Sequence, residues 1–323
     1  MKAIICTAYG SPEVLQSREL NKPTPKDNEI LIKVHATMVT AGDVRVRRFD
    51  VPLLFWLPIR LVLGLRQPKQ PVLGVEYAGE VEAVGKSIQK FKVGDRVFGS
   101  TPWMKFGCYA EYTVQPGDGV ISKIPEGLNY QDVASVPFMG IGALYFIRKA
   151  GLKKGKKILI YGASGAVGTY AVHLAKCFGA EVTAVCSSKN KQLVESLGAD
   201  SVLDYTASDF ELEKEKYDVF FDAVGKGSFT KAIHSVKKSG KYITADRGLG
   251  DTIRGSIVNM NGNKMVIAGT AKPEPGDLEF LSKLIVKGNL IPVIDRAFNF
   301  EEMQEAHQYV DSGRKRGNVI VKV

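Results

Sequence analysis

The stretch Ile158-Leu-Ile-Tyr-Gly-Ala-Ser-Gly-Ala-Val-Gly-Thr-Tyr-Ala-Val-His-Leu-Ala-Lys176 decides the fold of this chain. An apolar β run ends at Tyr161, glycines follow at Gly162, Gly165 and Gly168, and a helical pattern begins at once. Backbone N–H groups at such a turn can approach a pyrophosphate, and the helix start adds its partial positive charge. The stretch therefore predicts a dinucleotide-binding turn, with a purely structural turn as the alternative.

Ala163, Gly165 and Gly168 occupy the three positions of the fingerprint G-x-G-x-x-G, with alanine in place of the first glycine. The next apolar run, residues 181–186, predicts the strand that ends beside the adenosine ribose. An NAD-preferring site would carry Asp or Glu there, whereas this chain continues with Ser187, Ser188 and Lys189. Hydroxyl and ammonium groups satisfy a 2′-phosphate that a carboxylate would repel, so we predict NADPH. A solvated helix start with Ser188 as its N-cap is the alternative, and both can hold together.

The composition bounds the class of protein. A chain of 323 residues, 45% of them hydrophobic, can bury a large core and predicts two domains. The net charge of +10 comes from short dispersed basic groups without interleaved aromatics, which favours an anionic ligand but predicts no specific nucleic-acid binding. No signal-peptide order opens the sequence, so we expect a cytoplasmic protein. The four cysteines form no C-x-x-C pair and are expected to be reduced, structural thiols.

The hydrophobic pattern changes character near residue 125. Before it, apolar and polar residues alternate over short runs that glycines and prolines separate. This pattern is typical of an antiparallel β domain or barrel. Beyond it, strands and helices alternate, which predicts a doubly wound parallel sheet and an α/β fold class. A helix over 300–312 and a strand over 318–323 are expected to rejoin the first domain. The other predicted strands are 2–8, 29–36, 79–84, 95–98, 108–114, 157–161, 181–186, 201–203, 218–222, 241–245 and 265–268.

Further motifs extend over nearly the whole chain: Met1-Lys-Ala-Ile-Ile5, Val72-Leu-Gly-Val-Glu-Tyr-Ala-Gly-Glu-Val81, Val93-Gly-Asp-Arg-Val-Phe98, Leu197-Gly-Ala-Asp200 and Arg316-Gly-Asn-Val-Ile320. With the glycine-rich turn, they resemble the medium-chain dehydrogenase/reductase superfamily, on its zinc-free quinone oxidoreductase side. The resemblance implies a GroES-like β-barrel domain made of residues 1–125 and 290–323. It implies a Rossmann NADP(H)-binding domain over residues 126–289, with the active site in the cleft between the two.

The resemblance also bears on metal binding. Zinc members of the superfamily hold the metal with Cys, His and a third Cys or Asp. Here Thr40 stands at the first of these positions, Val75 at the second, and Phe138 near the third, so we predict no metal site. Without a Lewis acid, hydride transfer needs an electron-poor acceptor, which a quinone or an α,β-unsaturated carbonyl provides.

Few residues are candidates for catalysis. Polar assistance to the acceptor could come from Thr40 or a neighbouring backbone N–H, or from one of Arg45, Arg47 and Arg48. A solvated helix or loop is the alternative for the arginines. Some enoyl-thioester reductases of the superfamily carry a tyrosine donor where residues 44–51 lie here, and this segment has none. Tyr77 and Tyr109 are then candidate proton donors if the fold brings them to the cleft. Asp43 is expected to hold its loop.

Residues 51–65 are unusually apolar for a surface connection. Two prolines and Arg60 exclude a span across a bilayer. Three interpretations stay open: a wall over the substrate pocket, a core or subunit contact, and a membrane-surface anchor. In the first case the predicted pocket is lined by Phe55, Trp56, Trp103, Met104, Phe106 and Phe138.

Cofactor contacts and assembly follow from the resemblance by position. Family members are commonly homodimers or tetramers that extend their Rossmann sheets, so we expect a homodimer with residues 264–269 as the edge strand. The predicted cofactor-binding residues are Thr40, Met139, Gly162, Ala163, Gly165, Ala166, Val167, Gly168, Ser187, Ser188, Lys189, Ala223, Val224, Asp246, Arg247, Gly269, Thr270 and Asn318.

The sequence thus predicts an NADPH-dependent, zinc-independent reductase that transfers a hydride to a hydrophobic quinone or enone. Two alternatives stay open at this point. One is an alcohol or aldehyde dehydrogenase of the same fold, and the other is a cofactor-binding protein without useful turnover.

Overall fold

A computed structural model describes residues 1–102, 105–207, 211–244, 249–260 and 262–323. The chain divides into two units, the first made of Met1–Phe138 and Ile294–Val323 and the second of Met139–Val293. The sequence placed these divisions after residues 125 and 289. Within the described residues, no helix is long and apolar enough to cross a membrane.

The strands of the first unit are β1 (Lys2–Cys6), β2 (Leu15–Glu19), β3 (Glu29–Met38), β4 (Glu76–Val84), β5 (Arg96–Ser100), β6 (Tyr112–Pro116) and β7 (Val120–Lys123). Those of the second unit are β8 (Lys157–Tyr161), β9 (Glu181–Cys186), β10 (Ser201–Asp204), β11 (Tyr217–Asp222), β12 (Val236–Thr244) and β13 (Met265–Ala268). The chain then returns to the first unit with β14 (Ile294–Asn299) and β15 (Asn318–Lys322).

The helices of the first unit are α1 (Ala41–Arg48), α2 (Leu53–Leu63) and α3 (Tyr130–Val133), followed at the end of the chain by α10 (Met303–Asp311). The second unit contains α4 (Ile141–Ala150), α5 (Ala166–Cys177), α6 (Lys191–Ser196), α7 (Phe229–Ser235), α8 (Leu249–Met260) and α9 (Asp277–Val286). Short 3₁₀ turns occupy Pro12–Val14, Ser188–Asn190 and Phe300–Glu302, and a π-helical turn occupies Val136–Gly140.

The first unit is the β domain that the sequence predicted. Its larger sheet has the order β14-β15-β3-β4-β5-β7, with β6 also paired to β3, and a smaller sheet pairs β1 with β2. The pairs are antiparallel except for β14 with β15. The sequence missed β2, β7 and β14. Strands β2 and β14 have mostly exposed or half-exposed residues with little apolar alternation, and β7 is only four residues long. It placed β6 too early, since Ala110 makes only an isolated bridge to Ala3.

Helix α3 explains why the first unit extends past residue 125. The Tyr130 ring stacks on His35, with ring centroids 4.5 Å apart. The Arg96 guanidinium lies 4.7 Å from the centroid of the same ring. Because His35 lies on β3 and Arg96 on β5, this short helix packs on the antiparallel sheet.

The second unit confirms the predicted Rossmann arrangement. Its sheet has the order β10-β9-β8-β11-β12-β13, and every pair is parallel. The six strands predicted in this half of the chain are all present at their expected places, although Ala245 lies outside the described residues. The strand order reverses between β8 and β11, and ligands of such sheets bind beyond the carboxyl ends of the strands at this point.

The tail of the chain rejoins the first unit, as predicted. Strand β15 lies between β14 and β3, and α10 packs against α1. Arg47 links the two helices, because its fully buried guanidinium donates to Asp311 Oδ2 at 2.8 Å and to the Gly10 carbonyl at 2.7 Å. Arg48 reaches the other carboxylate oxygen of Asp311 from the surface, at 2.6 Å.

We therefore predict different effects for two neighbouring arginines. Arg47→Gln should lower the free energy of unfolding by about 3 kcal/mol, since it removes a buried charge with its hydrogen bonds. Arg48→Gln should cost less than about 1 kcal/mol, because that ion pair is solvated. Urea titrations of the two variants beside the parent protein measure the difference. Equal losses would contradict the structural role assigned to Arg47.

Candidate cofactor and active site

Gly162 makes the sharp turn at the end of β8. Its φ of 77° lies in the left-handed region, which glycine adopts without strain. The N–H groups of Gly162 and Ala163 both donate to the Val185 carbonyl of β9, at 3.0 and 3.1 Å. Ala163 is fully buried. Gly162 therefore provides the tight turn that the first glycine of the fingerprint usually provides, one residue before Ala163.

Gly168 brings the first turn of α5 against this loop. A Cβ at Gly168 would lie 2.2 Å from the Gly162 carbonyl oxygen, so only glycine fits. Gly165 is the N-cap residue of α5 and provides no side-chain cap. The first N–H groups of a helix have no intrahelical acceptor, and with the helix dipole they suit a pyrophosphate. The residues at Ala166, Val167 and Gly168 thus fit the predicted dinucleotide.

A second loop lies beside this turn. Asn190, which the sequence analysis did not single out as a site residue, donates from Nδ2 to the Ser164 hydroxyl at 3.0 Å. It also reaches the Ser187 hydroxyl at 3.4 Å. Because Ser164 belongs to the glycine-rich turn, these hydrogen bonds join the pyrophosphate and ribose loops. The signal in the sequence was an Asn beside the serines, which only the fold relates to Ser164.

Lys189 and Tyr205 are exposed polar side chains near the end of β9. Among the described residues, Lys189 makes no ion pair or hydrogen bond through its side chain. The Tyr205 N–H donates to the Cys186 carbonyl at 3.3 Å, which places this half-exposed tyrosine next to the end of β9. Asp204 accepts the Ser188 N–H at 3.0 Å, and hydrogen bonds from Thr206 lower its pKa. Lys189 is therefore an exposed cation beside the carboxylate of Asp204, which is held by hydrogen bonds from Ser188 and Thr206.

Asp222 shapes the loop that follows β11. Its carboxylate accepts the N–H groups of Val224, Gly225 and Gly227 at 3.1, 2.8 and 2.9 Å. Burial raises the pKa of Asp222, while these hydrogen bonds oppose that rise. The predicted contact residue Val224 lies against the glycine-rich turn, since a Cβ at Gly162 would be 2.5 Å from its Cγ1. Asp222 thus positions Ala223 and Val224 at the carboxyl end of the sheet.

In the first unit, Thr40 begins α1 with a capping box. Its hydroxyl donates to Asp43 Oδ2 at 2.6 Å and accepts the Asp43 N–H at 2.9 Å. The Thr40 N–H donates to the same carboxylate at 2.9 Å, and Gly74 N–H approaches its other oxygen at 3.3 Å. Burial raises the pKa of Asp43, and these donors oppose the rise. Asp43 does hold this loop, and the Thr40 hydroxyl is committed to it.

The buried network continues beyond Asp43. The Tyr109 hydroxyl lies 3.2 Å from His307 Nε2 and 3.4 Å from the Met38 carbonyl oxygen. Burial lowers the pKa of His307 to about 3, so the imidazole is neutral. These side chains link β3 to α10 inside the first unit, and no local sequence pattern predicts their proximity.

The residues at the zinc positions do not fit a zinc ion. The Thr40 hydroxyl is occupied by Asp43, while Val75 and Phe138 carry no ligand atom. Phe138 is held through its backbone, whose N–H donates to Glu76 Oε1 at 2.7 Å. Zinc sites in proteins are built from thiolate, imidazole or carboxylate groups. Within the described ranges, no three His, Cys, Asp or Glu side chains are grouped to hold a metal.

Tyr77 requires a correction. Its side chain is 1% exposed and lies in a core cluster with Ile32, Val97 and Cys108. Burial raises its pKa well above the usual range. A proton donor must reach the reacting atoms, so the prediction of Tyr77 as a catalytic donor was wrong. Arg45 lies on the exposed side of α1, and its catalytic role stays a prediction.

The predicted substrate aromatics are not brought together. Trp56 packs edge-on against Phe49, with centroids 5.8 Å apart, and Phe106 packs against the core of the first unit. Phe55 and Phe138 are largely exposed. In the part of the chain that the structure describes, these four predicted rings make no ring contact with one another.

The remaining predicted residues are placed as follows. Met139 is buried in the second unit, and Asn318 is buried at the start of β15. Gly269 and Thr270 are exposed just after β13. Trp103, Met104, Asp246 and Arg247 lie outside the described residues.

Comparisons with known proteins agree with this architecture. The family description "Alcohol dehydrogenase GroES-like domain" matches residues 26–126, and "Zinc-binding dehydrogenase" matches residues 197–321. The zebrafish (Danio rerio) protein "NAD(P)H oxidoreductase RTN4IP1, mitochondrial" is 31% identical, and the alignment covers 100% of this chain and 91% of the relative. The chain belongs to the medium-chain dehydrogenase/reductase superfamily.

Two further similarities lie on the reductase side of the superfamily. The tomato (Solanum lycopersicum) "2-methylene-furan-3-one reductase" is 31% identical, with 99% of this chain and 79% of the relative covered. The solved structure of the quinone oxidoreductase from Coxiella burnetii has a TM-score of 0.88 at 27% identity, covering 100% of this chain and 99% of that one. The predicted family is confirmed, and with it the assignment of the chain as an oxidoreductase.

Two helical glycines give a direct test of the glycine-rich turn. Gly168→Ala should cost about 1–3 kcal/mol of stability, because its Cβ meets the Gly162 backbone, and should weaken NADPH binding. Gly142→Ala, in α4, meets no atom within 4 Å and should stabilise by about 0.5–1 kcal/mol without affecting binding. Thermal unfolding and NADPH fluorescence titration measure both quantities. Unchanged NADPH affinity in a folded Gly168→Ala protein would refute the assigned turn.

Proposed function

We propose that this protein is an NADPH-dependent, zinc-independent reductase of quinones or α,β-unsaturated carbonyls. The observation that carries the proposal is the pairing of a dinucleotide turn with zinc positions held by Thr40, Val75 and Phe138. The turn favours hydride chemistry with a nicotinamide cofactor, and the three side chains supply no Lewis acid. The reductase names of the tomato relative and the Coxiella burnetii structure support the same class.

The chain's own residues mainly bind and orient. The first N–H groups of α5 would hold the pyrophosphate, and Ser188, Lys189 and Tyr205 would hold the 2′-phosphate. Asp222 would keep the loop of Ala223 and Val224 in place. Bound NADPH would supply the hydride, and a proton from solvent would complete the two-electron reduction.

Two residues of the first unit stay our candidates for the reacting groups. The Thr40 hydroxyl already donates to Asp43, so we assign it a positioning role at the nicotinamide ring and not proton donation. Arg45 is the candidate cation for the negative charge that develops on the acceptor oxygen. The exposed aromatics Phe55 and Phe138 are candidate contacts for a flat apolar acceptor.

Assembly and location complete the proposal. We propose a homodimer that pairs through the edge strand β13, whose Met265 is exposed. Cytoplasmic location stays a prediction, since the name of the zebrafish relative contains the word "mitochondrial".

The reaction itself is tested by NADPH oxidation at neutral pH with 1,4-benzoquinone and, separately, but-3-en-2-one. We expect acceptor-dependent turnover that a chelator leaves unchanged and that falls about tenfold or more with NADH. Loss of activity on chelation, together with alcohol oxidation, would favour the zinc dehydrogenase named by one family description. Tight NADPH binding without turnover would favour a binding protein.

Cofactor preference is tested by reversing one charge. Lys189→Glu should raise the KM for NADPH about 10- to 100-fold, since a charge-assisted contact contributes about 1.5–3 kcal/mol, while the KM for NADH changes little. Lys153→Glu is the matched control, because this exposed lysine precedes the amino end of β8. Lys153→Glu makes the same change in net charge at the amino ends of the parallel strands, whereas Lys189 lies at their carboxyl ends. A rise in KM for both cofactors, or equal effects of the two variants, would argue against the 2′-phosphate site.

A further inference from the structure

One side of helix α2 packs on other residues of the first unit. The Arg60 guanidinium lies between aromatic rings, 4.2 Å from the Tyr9 centroid and 4.1 Å from that of Phe49. Trp56, one turn earlier, packs edge-on against Phe49. The Tyr9 hydroxyl donates to the Gly64 carbonyl at the end of the helix, at 3.0 Å. These contacts fix the orientation of α2 on the domain.

A neighbouring side of α2 carries a stripe of exposed leucines. Leu53, Leu57 and Leu61 follow one another at four-residue spacing, which places them on one side of the helix. Their side chains are 89%, 58% and 57% exposed. Val62 and Leu65 add exposed apolar surface at the end of the helix. A contiguous apolar surface of this kind marks an interaction site rather than ordinary surface.

The charges at the carboxyl end of this stripe have one sign. Residues 51–75 contain Arg60, Arg66 and Lys69 and no acidic residue, whereas the exposed Asp50 precedes them. Arg66 is exposed beside Leu65. The Lys69 ammonium donates to the Leu61 carbonyl at 2.8 Å, which places its charge at the carboxyl end of α2. The apolar stripe is therefore bordered by cations at the carboxyl end of α2.

We propose that the leucine stripe of α2 attaches the protein to the surface of an anionic lipid bilayer. Helices that lie in a membrane interface insert leucines into the boundary of the acyl chains. Their lysines and arginines stay at the level of the headgroups. A second copy of this chain that pairs through parallel α2 helices would bring the Arg66 and Lys69 charges of both copies together.

The test uses flotation of the full-length chain with vesicles. One set is phosphatidylcholine with phosphatidylglycerol, and the other is phosphatidylcholine alone. We expect binding to the anionic set at low salt and at least about tenfold weaker binding to the neutral set or at high salt. Leu57→Gln/Leu61→Gln should reduce binding to the anionic set at least about tenfold, and Arg66→Gln should reduce it by a smaller factor.

A matched control separates this face from general apolar exposure. Val286→Gln/Ile291→Gln changes two residues of the second unit that are equally exposed, and should bind vesicles like the parent protein. Turnover of 1,4-benzoquinone should be the same in all variants, so failure of the lipid proposal is distinguishable from failure of the proposed reaction. Thermal unfolding checks that each variant is folded.

The other outcomes overturn the proposal. No vesicle binding by the parent protein, or equal binding by the leucine variant, excludes the lipid surface. A change of oligomeric state in the leucine variant, without a change in vesicle binding, would assign the stripe to a second copy. A raised KM for apolar acceptors alone would assign it to the wall of the substrate pocket.

Discussion

The close approach of α5 to the end of β8 is the constraint on which the second unit depends. At Gly168 the helix meets the carbonyl oxygen of Gly162 at a distance that excludes a Cβ. The same Gly162 donates to Val185 of β9 and lies under Val224 of the loop after β11. One glycine therefore joins three neighbouring strands to one helix start. The anion-binding N–H groups of α5 are aimed by this packing rather than by any charged side chain.

A different constraint governs the first unit. Here a buried carboxylate, Asp43, ties the start of α1 to the loop at Gly74. A thiolate at Thr40 would leave that carboxylate without its shortest hydrogen bond. The zinc ligands are thus replaced by residues with contacts of their own, and the local structure is consistent with chemistry that relies on an electron-poor acceptor.

The sequence predicted what depends on local pattern. Continuous apolar runs marked the parallel strands, because those strands are buried on both faces. It could not assign faces within β4, where Glu76 contacts Phe138 and its neighbour Tyr77 enters the core. Successive side chains of a strand point to opposite faces, so a one-residue difference reverses the role. Contacts between distant segments, such as Asn190 with Ser164, become visible only in the fold, because no local pattern relates the two positions.

Helices α1 and α2 carry side chains with unusual burial: a charged residue that is buried and leucines that are exposed. Arg47 is a buried cation, but Gly10 and Asp311 supply its partners within the chain. The leucines of α2 are exposed apolar groups, and Arg60 holds a neighbouring side of their helix on Tyr9 and Phe49. A helix fixed in this orientation cannot bury its leucines by turning over. In our proposal a lipid surface covers them, and the cations at the carboxyl end of α2 favour an anionic one.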